Sequence, residues 1–155
     1  VVKPRKSNEF GQRWAVWKLF EIKGLEGSVY LRRRRIVQTP WFGVYHHRIF
    51  REDQDRHLHS HPWPFLSAVL TGGYREVVAM PAGDAVESVL THRAGRIHRF
   101  PDGMVHKIVH VEPGTRTLVL VGRRRESWGF YVPGRGIVPW RTYLAEQNHP
   151  QAPTP

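Results

Sequence analysis

Apolar and polar residues alternate along most of the chain, which is the pattern of strands with one buried face. Residues 28–38, SVYLRRRRIVQ, read as a strand opened by a turn at Gly24 to Gly27 and ended by Thr39-Pro40. Residues 41–51 form the next, with Val44, His46, Arg48 and Phe50 on one face and Tyr45, His47 and Ile49 on the other. After the polar loop 51–56 the chain runs through alternate histidines into Phe65, Ala68, Val69 and Leu70. It turns at Gly72-Gly73 and resumes over 74–80, a hairpin with a glycine turn. Residues 86–91, 105–111, 118–122, 129–132 and 137–140 read as further short strands separated by Gly, Pro and charged turns. Roughly nine short strands with little helix argue an all-β, double-sheet or closed architecture. One stretch departs from the alternation. Phe10, Trp14, Trp17 and Phe20 recur at three- and four-residue steps, which predicts a short N-terminal helix packed outside a sheet; a strand over 14–22 is the competing assignment. Residues 1–8 and 148–155 are expected to be a disordered arm and tail, leaving 9–147 as a single domain without internal repeats.

Candidate chemistry concentrates in two stretches, RHLHSHPWPFLSAVLTGGYRE from Arg56 and GRIHRFPDGMVH from Gly95. A strand sends alternate residues to one face, so His57, His59 and His61 are expected to point the same way. Of the adjacent pair His46 and His47, one must point inward. The four consecutive arginines Arg32 to Arg35 must divide two to each face of their strand, and an exposed edge strand is the expected setting for such charge.

Composition narrows the function classes. The 155 residues are 40% hydrophobic and 12% aromatic, enough for one domain with a proper core. No apolar run approaches the length of a bilayer span, and the N-terminal segment carries charge without a following apolar stretch, so a cytoplasmic, non-membrane protein is expected. Zero cysteines remove thiolate ligands, disulfides and cysteine nucleophiles together. The net charge is +11, and arginine supplies 19 of the 24 basic residues. That surplus favours anions, and the planar guanidinium suits phosphate, so nucleic acid or a nucleotide is a possible partner.

The two histidine stretches resemble the paired motifs of the cupin superfamily. His59-Ser60-His61 matches the H-x-H of the first motif and Gly72 or Gly73 its closing glycine. Asp53 stands where that motif opens with glycine, and Phe65 or Leu66 where it has glutamate. The second motif, G-x5-P-x-G-x2-H-x3-N, is matched by Gly95, Pro101, Gly103 and His106, with His110 in place of the asparagine. From Tyr30 to Tyr143 the chain also resembles a small, largely uncharacterised group of cupin-like proteins of bacteria and phages. YLRRRRIVQTPWFGVYHHRI, HSHPWPF, LTGGYRE, HRFPDGMVHKI and RTLVLVGRRRESWGFY carry that likeness.

The resemblance implies a cupin-type double-stranded β-helix, or jelly-roll barrel, and a metal held by His59, His61 and His106, similar to the three-histidine site of the thiol dioxygenases. Neutral imidazoles hold Fe(II), Zn, Mn or Ni without cancelling the ion's charge, and three on one side leave positions for substrate. With the carboxylate ligand missing, a small anionic substrate can take its place. The expectation is one divalent metal, Fe(II) favoured, in a dioxygenase-like enzyme with an arginine clamping the substrate. Glu76 is a candidate fourth ligand or base, and Tyr74 on the same face a candidate hydrogen-bond donor. His57 is expected at the strand mouth, and His98 and His110 behind the ligands. The alternatives are a sugar or nucleotide-sugar isomerase or epimerase using Glu76, Tyr74 or a free histidine for proton transfer, and a non-catalytic nucleic-acid-binding or nucleotide-binding module. Cupin-like pairing through sheets makes a homodimer possible.

Overall fold

A computed structural model describes residues 15–23, 27–81, 87–125 and 127–148. The expected arm, the tail beyond Asn148 and the first residues of the expected N-terminal helix lie outside these. In chain order the elements are β1 (Ala15–Lys23), β2 (Val29–Gln38), β3 (Gly43–Ile49), β4 (Leu58–Ser60), β5 (Phe65–Thr71), β6 (Gly73–Ala79), β7 (Ser88–Arg93), β8 (Ile97–Phe100), β9 (Val105–Val111), β10 (Arg116–Val121), β11 (Gly129–Val132), β12 (Gly136–Pro139) and α1 (Trp140–Asn148).

The strands form two six-stranded sheets, in the orders β1-β2-β3-β10-β5-β8 and β12-β11-β4-β9-β6-β7. Every recorded pairing is antiparallel. Consecutive strands such as β4, β5 and β6 fall alternately in one sheet and the other, giving the double-sheet wrap of a jelly roll. Between the sheets Leu31, Ile49 and Val69 of the first pack against Tyr74 and Ile108 of the second. Burying each such aliphatic side chain contributes about 2 kcal/mol.

Two local devices hold the strands in place. Gly72 joins β5 to β6 with φ +67°, and a Cβ there would lie 2.5 Å from Thr115 Oγ1 and 2.9 Å from its Cα. Only glycine meets both conditions. Asp53 is buried in the loop before β4; its Oδ2 accepts the Ile108 N–H at 2.9 Å, and its own N–H donates to the Ile108 carbonyl at 2.9 Å. The residue standing where the motif has glycine therefore clips the loop to β9.

Two expectations are corrected. The N-terminal stretch is a strand from Ala15, paired in register with β2, and the helix is instead C-terminal. Aromatic residues at Trp17 and Phe20 fit either period, and pairing supplies backbone hydrogen bonds that an isolated short helix must find alone. The helix α1 docks through Trp140, Tyr143 and Leu144 onto Phe130 and Val138, with the Phe130 and Tyr143 rings stacked at 4.1 Å. The same pairing means β2 is not an edge: β1 covers one side and β3 the other.

Candidate metal centre

The strand β4 is only three residues long, yet it sits between β11 and β9 and places His59 directly opposite His106. His61 follows one residue past its end. The three imidazoles converge, with ring centroids 4.7 Å apart for His59 and His106, 4.9 Å for His61 and His106, and 5.3 Å for His59 and His61. His61 Nε2 and His106 Nε2 face each other at 2.8 Å. One donor atom from each of the three rings falls within 4.8 Å of the others. Aromatic rings wall the group: Phe65 and Phe100 stand edge-on to His61 at 5.1 and 5.2 Å, and Phe130 lies 6.3 Å from His59.

Behind His106 lies a carboxylate. Glu76, on β6 and 2% exposed, accepts from His106 Nδ1 at 2.5 Å and from His92 Nε2 at 2.7 Å. An ionised carboxylate can only accept, so His106 carries its proton on Nδ1 and turns the Nε2 lone pair toward His61. Burial alone would raise the Glu76 carboxyl, but hydrogen bonds from His106 and His92 outweigh it and hold the group well below the usual carboxylate range. Burial, then the neighbouring His106, lowers His59 to about 4. Burial with His106 and His59 holds His61 well below its ordinary value.

These residues fit a divalent metal. Burial disfavours the charged form of His59 and His61, His106 is held in the ligating tautomer by Glu76, and the buried His59 Nδ1 has no hydrogen-bond partner. A cluster of three imidazoles that leaves a buried nitrogen orphaned is poorly satisfied unless a cation joins it.

The other expected residues distribute as follows. His57 does not join the group; its Nδ1 lies 2.8 Å from the Tyr143 hydroxyl of α1. The strand begins at Leu58, so the alternation that sends His59 and His61 together does not extend back to it. His47 is the inward member of its pair and accepts from Arg33 Nε at 3.1 Å. Glu76 stands behind His106 rather than beside its free nitrogen. Tyr74 is buried, its hydroxyl 3.0 Å from His98 Nε2. His98 stacks on His92 at 3.8 Å, so it adjoins the Glu76 network, whereas His110 is exposed on β9.

His92 escaped sequence reading. It stands opposite Tyr74 across the β6–β7 pair, a register set by a connection without a tight turn signal. Glu76, His92 and His98 form a second group with donor atoms within 4.8 Å. Its carboxylate oxygens are already engaged by two imidazoles.

No family profile and no curated protein matches the sequence. Solved structures do match in fold. An RmlC-like cupin from Shewanella frigidimarina NCIMB 400 aligns over 74% of this chain and 97% of its own at 19% identity, with a TM-score of 0.50. Oxalate decarboxylase from Bacillus subtilis aligns over 86% of this chain at 15% identity and TM-score 0.57, and HppE with Fe(II) and the alternative substrate (S)-1-HPP over 68% at 14% and 0.51. The chain spans 33% of the length of that decarboxylase and 56% of HppE. Two antiparallel sheets wrapped as a jelly roll, with these structural neighbours, give this chain a cupin-type fold.

Proposed function

We propose that this chain is a metal-dependent enzyme in which His59, His61 and His106 hold one divalent transition metal, Fe(II) favoured over Zn, Mn or Ni. The chemistry is dioxygenase-like and the substrate a small anion. The observation that carries the reading is the convergence of three imidazoles, one of them oriented by a buried carboxylate. The fold shared with HppE, whose structure holds Fe(II), supports the choice of metal.

The metal supplies an electron-poor centre with positions left open and, as Fe(II), redox chemistry with oxygen. The chain's own residues do the rest. Glu76 holds the proton on His106 Nδ1 and is a positioning residue. Phe65, Phe100 and Phe130 exclude water and keep the local dielectric low. Tyr74, held protonated by burial and then by the nearby Glu76 charge, fixes His98 against His92. With both Glu76 oxygens engaged by imidazoles and the Tyr74 hydroxyl against His98, neither presents a free base, which leaves the sugar isomerase or epimerase alternative to a free histidine.

A second reading rests on the outer face of the first sheet. Arg32, Arg48 and Arg116 stand opposite one another across β2, β3 and β10. Arg32 has Glu21 as a counter-charge, but among the described residues Arg48 and Arg116 have none; like charges in register are unfavourable without one, which supports binding of nucleic acid or a nucleotide. Leu66, Leu118, Leu120 and Ile97 are exposed on that face too, which supports pairing of two copies.

The test is metal content of untagged protein purified without chelator, beside His106→Ala. Near-stoichiometric metal in the native protein that is lost in the variant is expected, with oxygen consumption once Fe(II) and small anions are added. Native protein that neither retains nor takes up Fe(II) or zinc refutes the metal reading. Salt-sensitive polyanion binding in that same protein then favours the outer face.

A further inference from the structure

The strand β2 divides its four arginines two and two. Arg32 and Arg34 lie exposed on the outer face, and Arg32 Nε pairs with Glu21 at 2.8 Å. Arg33 and Arg35 lie on the inner face with Leu31, where their fates differ from the outer pair. Among the described residues neither has a carboxylate partner.

Arg35 is only 6% exposed, lies over the Phe20 ring at 5.5 Å, and its Nε is buried with no hydrogen-bond partner. Arg33 is half-buried, lies over Tyr45 at 5.2 Å, and donates to neutral His47. That acceptor offsets no charge. Most groups escape such a setting by shedding charge, but guanidinium cannot lose its proton in a protein. A buried cation without a counter-ion is among the least favourable things a core can hold, and here Arg35 is one, with the half-buried Arg33 two positions before it on the same face.

Arg33 adjoins the metal centre, and Arg35 stands opposite Tyr45 across the β2–β3 pair. Tyr45, on which Arg33 lies, packs with Phe65, and the Phe65 ring stands 5.1 Å from His61. Arg33 and His47 are also close enough to act on the charge of His61.

We propose that Arg33 and Arg35 form an oxyanion-binding subsite beside the three histidines, taking a carboxylate or phosphate group of the substrate. The subsite rests on the reading of a small anionic substrate and names the residues that would recognise it. Two planar forks separated by one residue suit a group with several acceptor oxygens, which each guanidinium can engage bidentately.

The test uses inorganic phosphate and malonate as separate probes, titrated calorimetrically into the full chain with metal content measured on the same samples. Wild type is expected to bind at least one probe. Arg33→Gln and Arg35→Gln should each weaken that binding by about tenfold or more, as expected for loss of a charge-assisted contact. The outer-face variant Arg34→Gln, outside the row of Arg32, Arg48 and Arg116, should not weaken it. Preference for phosphate identifies a phosphorylated substrate, and preference for malonate a carboxylate. An independent readout is thermal unfolding without anion: Arg35→Met should raise Tm, because it removes an unpaired buried charge. Failure of wild type to bind either probe, equal loss in the outer-face variant, or a lowered Tm for Arg35→Met overturns the proposal. Anion binding that depends on Arg33 in a protein that holds no metal would leave the subsite standing and remove the metal reading instead.

Discussion

Removing the Glu76 carboxylate tests the centre most directly, because that group joins stability to metal affinity. In Glu76→Ala, His106 Nδ1–H and His92 Nε2–H lose acceptors now at 2.5 and 2.7 Å. Each unsatisfied buried donor costs about 1–3 kcal/mol, so the two donors with a ~1 kcal/mol cavity term should cost the variant about 3–7 kcal/mol. His106 is also freed to carry its proton on Nε2, where it cannot ligate, and loss of such an outer partner lowers metal affinity by about 10–100-fold. Glu76→Gln separates the two effects. Its amide oxygen can accept from His106, while its NH2 faces His92 Nε2 and obliges that ring to change tautomer. The expected losses are then about 1–2 kcal/mol and about tenfold or less in metal affinity. Urea denaturation of metal-free protein reads the first quantity, and competition against a chromogenic chelator reads the second. Glu76→Ala with native stability and native metal affinity would refute the reasoning. So would Gln and Ala variants that behave alike, since the argument rests on which acceptor remains.

Three further outcomes are expected. His59 and His98 are each lowered from 6.5 to about 4, burial being the first cause in both and neighbouring imidazoles the next. Groups so depressed bind protons more tightly unfolded, so their contribution is full above pH 6.5 and is lost as pH falls toward 4. Asp55, raised by burial and then by Asp53 to about 6, acts oppositely but singly. Metal-free protein should therefore lose stability between pH 6.5 and 5, by up to about 2 kcal/mol from His59 alone; a flat urea-denaturation profile over that range contradicts the assignment. Asp53→Ala strands the Ile108 N–H and should cost about 1–3 kcal/mol by chemical denaturation, whereas a native midpoint would show that the loop clip contributes nothing. Gly72→Ala meets both a left-handed φ and Thr115 at 2.5 Å; a loss above about 1 kcal/mol is expected, and a variant as stable as wild type would mean the β5–β6 turn readily rearranges.

What the sequence by itself determined was whatever depends on near neighbours. Period-two alternation marked most strands, and the likeness of two short stretches to the cupin motifs marked His59, His61 and His106 as candidate ligands, because each motif is a strand end or turn of a few residues. The division of Arg32 to Arg35 between two faces followed from backbone geometry alone. The N-terminal stretch was misread because aromatic spacing fits helix and strand alike, and only pairing with β2, a contact between distant parts of the chain, decides between them. The helix α1 was missed for a related reason: Trp140, Tyr143 and Leu144 show too short a period until Phe130 and Val138 provide a surface. Tertiary structure also decided everything that depends on register across the sheets. It put His92 opposite Tyr74, set Glu76 behind His106 and left His57 against Tyr143. It likewise buried Arg33 and Arg35 on the inner side of a strand whose charge suggested an edge. A side chain's partner across a sheet depends on which residues face one another after long loops close, and no local pattern carries that information.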